Sequence, residues 1–114
     1  MSIKQEVYEL LKAAAPSGVT VRQSSQGVDA VLPALTFTGL NISNHRDLSG
    51  EIYSREASVQ IDVWSDNSPD TSELEDIVEE AMRQAGWGMS GSQDVTDEDP
   101  EIYHKALTFD TIKT

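Results

Sequence analysis

A change of hydrophobic period between residues 57 and 85 constrains this chain more than any other feature. Ala57, Val59, Ile61 and Val63 alternate strictly with Ser58, Gln60, Asp62 and Trp64. Alternation of this kind puts the two sets on opposite faces of a half-buried strand. After the breaker run Ser65-Asp66-Asn67-Ser68-Pro69 the spacing changes, and Leu74, Ile77, Val78, Ala81, Met82 and Ala85 recur three and four residues apart. That spacing is the apolar stripe of an amphipathic helix. Ser68 is the expected N-cap with Pro69 in the first helical position, and Gly86 is the expected left-handed residue just past the end.

The flanking segments extend the pattern. Ile3, Val7, Leu10, Leu11 and Ala14 predict a first helix, ended by Pro16-Ser17-Gly18. Val19-Thr20-Val21 reads as a short strand and residues 22–27 as a loop. Pro33 introduces an extended run in which the apolar side flips: Leu35 and Phe37 are odd, Leu40 and Ile42 even, with Gly39 between them. A glycine at such a flip predicts a β-bulge or sharp bend. Residues 43–55 are polar and read as a long hairpin connection, beyond the usual two to five residues. A strand is expected over residues 87–96, a turn at Asp97-Glu98-Asp99-Pro100, and a last strand over residues 102–113. The predicted order is α-β-β-β-α-β-β, an α+β fold with two helices on a mostly antiparallel sheet. A chain of 114 residues is expected to form a single domain over residues 1–114.

Charge is concentrated. The net charge is −12, and residues 62–101 carry thirteen acids against Arg83 alone, while the acids and bases elsewhere balance. A surface of that sign repels phosphate backbones and anionic lipid, so affinity for nucleic acid or membranes is not expected. No apolar run has the length of a membrane span, and the first six residues have no apolar core of a secretion signal. With no cysteine there is no disulfide, thiolate metal site or thiol nucleophile, which suits synthesis in a reducing cytosol.

Several apparent motifs carry no chemistry. Gly86-Trp87-Gly88-Met89-Ser90-Gly91 matches the dinucleotide fingerprint in letters only, because a helix precedes it and a strand follows. His45-Arg46-Asp47-Leu48 copies the start of a kinase catalytic loop without the later asparagine or a magnesium-binding Asp-Phe-Gly. The carboxylates around Glu73, Asp76 and Glu80 follow no calcium-loop spacing and read as a solvated face. Neither His45 nor His104 has a zinc-ligand spacing, and no G-x-S-x-G elbow occurs. Catalytic residues, cofactors and metals are therefore expected to be none.

Taken as a set, residues 57–64, the polar turn after them and the helix from Leu74 to Ala85 resemble the tail completion proteins of long-tailed bacteriophages, also called tail-terminator or head–tail joining proteins. The N-terminal helix, the proline leading into Leu35-Thr36-Phe37 and the closing Tyr103-His104-Lys105-Ala106-Leu107-Thr108-Phe109 match as well. The polar segment 45–55 has no counterpart in that pattern. The resemblance implies a non-enzymatic virion protein of the tail and neck, assembled in the bacterial cytoplasm. It implies a self-associated ring, usually sixfold, that caps the tail tube and docks to head connector or stopper proteins, with DNA passing unbound. Arg46, Asp47, Arg55 and Trp64 are then the expected interface residues, and Glu75, Glu79 and Glu80 the expected channel-facing acids. Two alternatives stand beside this reading: another phage structural adaptor, such as a connector or tail-tube subunit, or a small ligand-binding or enzymatic α+β domain.

Overall fold

The computed structural model describes residues 3–23, 32–95 and 101–113, without the side chains of Gly39, Leu40, Tyr53 and Lys113. Among the described residues its elements are α1 (Ile3–Ala14), β1 (Thr20–Gln23), β2 (Ala34–Arg46), β3 (Ile52–Ser65), α2 (Ser68–Gln84), β4 (Gly88–Val95) and β5 (Tyr103–Lys113), and the fold is of the expected α+β class. Among the described residues the strands form one five-stranded sheet in the order β1-β2-β3-β5-β4. The β1–β2 pair is parallel and the other three are antiparallel.

The core lies between the helices and one face of the sheet. Ala57, Val59, Ile61 and Val63 of β3 are buried there with Leu35 and Phe37 of β2 and Leu107 and Phe109 of β5. Val7 and Leu11 of α1 and Leu74, Val78 and Met82 of α2 cover them, as the two helical stripes require. The register of β2 against β3 shifts between Thr38 and Asn41, around Gly39, so that Ile42 pairs with Ala57 where Phe37 paired with Ile61. The expected bulge is there, and it puts Ile42 on the same face of the sheet as Phe37 despite the change of parity.

The ends of α2 follow local hydrogen bonding. Asn67, not Ser68, is the N-cap: its Oδ1 accepts the Asp70 amide at 2.8 Å. Its Nδ2 donates back to the Asp70 carboxylate at 2.8 Å, a reciprocal pair that serine cannot make. At the other end Gly86 has φ +94°, the Trp87 amide reaches the Met82 carbonyl at 2.9 Å and the Gly86 amide the Arg83 carbonyl at 3.1 Å. These are the two bonds of a Schellman cap, and they deliver Trp87 into the core.

The polar stretch read as a long connection is mostly paired strand. Asn44, His45 and Arg46 pair with Arg55, Ser54 and Ile52, and only residues 47–51 are turn. Both faces of this β-arm meet solvent along most of its length, so no hydrophobic period marks it as strand. The arm lengthens the molecule to 54 × 26 × 20 Å. The turn at Asp97-Glu98-Asp99-Pro100 and most of the 22–27 loop fall outside the described residues.

Candidate functional site

The arm tip is built by three residues. The Asp47 carboxylate accepts the Ser49 hydroxyl at 2.6 Å, the Ser49 amide at 2.9 Å and the Glu51 amide at 3.1 Å. These donors, the Ser49 hydroxyl foremost, hold the Asp47 carboxyl below the usual carboxylate range. The Arg46 guanidinium donates to the Gly50 carbonyl at 2.8 Å, and Gly50 takes φ +89°, a left-handed conformation natural to glycine. Arg46 and Asp47, two of the expected contact residues, therefore shape the tip. What the tip presents is Leu48, which is fully exposed. Sequence reasoning passed over it; the signal was a lone leucine between turn-forming Asp47 and Ser49. Ile42, Ile52 and Ile112 are further apolar side chains left exposed on or beside the arm.

Arg55 belongs to the same arm, exposed and in register between Asn44 and Lys113. Trp64 does not. Nine residues further along β3, it lies about 30 Å away at strand rise. It points off the core side, as its parity requires, but is only 6% exposed. Its indole N–H donates to Thr36 Oγ1 at 3.0 Å, and its ring stacks on His104 with centroids 3.6 Å apart. His104 Nε2 sits 3.1 Å from Asp62 Oδ1, which also accepts Gln60 Nε2 at 2.9 Å. A carboxylate only accepts, so Nε2 is the protonated ring nitrogen here. This cluster ties β2, β3 and β5 together across the outer sheet face. Thr36→Val removes the acceptor and leaves the indole N–H buried and unpaired, so it is expected to cost about 1–3 kcal/mol. Urea denaturation measures this, with Thr36→Ser as the variant that keeps the bond.

The acids of α2 divide into two groups. Glu75 is 18% exposed; it accepts Ser92 Oγ at 2.7 Å and lies 3.4 Å from Lys105 Nζ, linking α2 to β4 and β5. Glu80 is exposed and pairs with Arg83 while accepting Gln84 Nε2 at 2.8 Å. Those donors, Arg83 first, lower the Glu80 pKa. Glu79 is partly exposed. The three expected channel residues therefore do not share one free face, because Glu75 is used inside the chain.

Among the described residues no three His, Cys, Asp or Glu side chains converge as metal ligands, and no helix is long and apolar enough to cross a membrane. The feature that stands out is a solvent-exposed arm with Leu48 displayed at its tip. Solved structures include a similar fold. A chain from the virion of a native gene transfer agent particle superposes with a TM-score of 0.70 at 15% identity, over 98% of this chain and 94% of that one. No curated protein matches the sequence. The family model described as "Tail completion protein gp17" matches residues 5–114. The chain belongs to that family, and so is a structural component of the bacteriophage tail.

Proposed function

We propose that this protein caps the tail tube and joins it to the head connector as a closed, sixfold ring around the DNA path. The observation that carries the reading is the β-arm in a chain of this family: a long projection whose tip is locked by Asp47 and Arg46 yet buries nothing of its own. Preorganised projections lower the entropic cost of association, which suits a part whose task is contact. Among the described residues β4 closes one side of the sheet with mostly exposed side chains, and such an edge offers a further pairing site between copies. Copies in a ring add their charge, and a strongly acidic lining lets DNA slide past without adhering. Glu79 and Glu80 are the channel-facing candidates on α2, since Glu75 is engaged with Lys105. Assembly takes place in the host cytoplasm, and the partners are copies of the chain, the tail-tube protein and the connector or stopper.

Removing the gene from a phage that carries it tests this reading. Lysates are expected to contain DNA-filled heads and free tails that do not join, both visible by negative-stain microscopy. Normal joined virions would refute it.

A further inference from the structure

The tip that holds Leu48 outward raises the question of what receives it. One open cavity has the matching character. It lies where α1 and β1 meet β2, has a volume of about 460 Å³, and is lined in part by Tyr8, Val21 and Phe37. Val21 and Phe37 are buried there, while Tyr8 is 37% exposed with its ring 6.3 Å from that of Phe37. Lys4 and Arg22 are also among the described residues that line it. The arm tip brings the opposite sign: Asp47 and Glu51 flank Leu48, and the Arg46 guanidinium is turned onto the Gly50 carbonyl. The volume falls in the roughly 300–1,000 Å³ range of sites that accept bound groups.

Knob and hole cannot meet within one chain. Phe37 and Arg46 lie at the two ends of a continuous strand, and even with the bulge at Gly39 their separation is about 30 Å at strand rise. A knob and a complementary hole at separate places on one molecule form a heterologous contact, which repeats head to tail and closes into a ring or runs on as a fibre. We infer that Leu48 at the arm tip of one copy seats in the α1–β1 cavity of the next, against Tyr8, Val21 and Phe37, with Lys4 facing the acids of the tip. This rests on the ring proposed above and supplies its contact between neighbours.

The absence of native cysteine makes a crosslinking test specific. Tails purified from phage carrying Leu48→Cys together with Tyr8→Cys are oxidised and run on a non-reducing gel, beside both single variants. A ladder of multimers in the double variant alone is expected. Crosslinked dimers from Leu48→Cys by itself would show arms meeting tip to tip and overturn the inference. So would a double variant that is built into tails as rings yet stays uncrosslinked, an outcome that leaves the ring reading intact. A ladder that belongs to open filaments, with no ring in the images, would keep the knob-and-hole contact and overturn the ring. As a second variant, Leu48→Glu alters a side chain exposed in the monomer; unchanged circular dichroism with loss of multimers supports the contact, and retained multimers contradict it.

Discussion

Replacing residues 44–55 with Asn-Gly is expected to leave a folded protein that no longer joins heads to tails. The excision closes the hairpin on the Ser43–Glu56 pair, and Asn-Gly is the two-residue sequence that best matches the twist of paired strands. None of the described side chains removed belongs to the hydrophobic core cluster, which on β3 begins at Ala57 among the described residues. The described side chains of the segment are exposed except His45 and Ser54, which are partly covered. Shortening a connection changes closure entropy by well under about 1 kcal/mol, so the denaturation midpoint should hardly move. Joining should respond very differently. Interface anchors contribute about 2 kcal/mol or more each, and losing the arm with Leu48 removes at least one per subunit. Summed around a ring, the yield of joined particles is expected to fall by about 100-fold or more. Particle counts by microscopy and plaque titres measure it. Normal joining by the shortened chain would exclude the arm from the contact.

Phe109→Ala is expected to have the largest effect on stability. Phe109 is fully buried, faces Val59 across the β3–β5 ladder and Met89 across the β4–β5 ladder, and sits beneath the helices. Truncating a buried phenylalanine costs about 3–5 kcal/mol through lost transfer energy and the cavity left behind. Domains of this size have about 5–15 kcal/mol in total, so the variant loses much of its margin. Urea unfolding should show a midpoint lower by about 1 M or more. Phe109→Leu, which refills most of the space, should recover a good part of the loss. The two predictions separate cleanly: the excision keeps the fold and loses joining, while the core variant loses the fold itself.

Residues that alternate or recur because one side is buried were readable in advance. Ala57 to Val63 and Leu74 to Ala85 reflect burial, the phase change in β2 reflects a register shift, and the glycine beyond α2 has a backbone angle that glycine serves best. The arm was not readable as strand, because paired backbone with solvent on both sides imposes no hydrophobic period. The α2 cap moved by one position because Asn67 makes a reciprocal pair with Asp70, a contact that competes invisibly with the serine next to it. Parity gave the side of β3 on which Trp64 lies, but its burial depends on Thr36 and His104, which are distant in sequence. Glu75 has the same apparent helix-face character as Glu79; only the fold brings Lys105 and Ser92 to it. The contact candidates Arg46, Asp47 and Arg55 were chosen on this arm from sequence, while the side chain the arm displays, Leu48, emerged only once the roles of Arg46 and Asp47 in the turn were visible.

The claim that this chain acts by contact at the end of the tail is tested most directly by electron cryomicroscopy of intact virions, with its fold traced in the density. One closed ring between the tail tube and the connector, with each arm reaching its neighbour, is the expected result. Copies repeated along the tube, or a neck built without this chain, would contradict it.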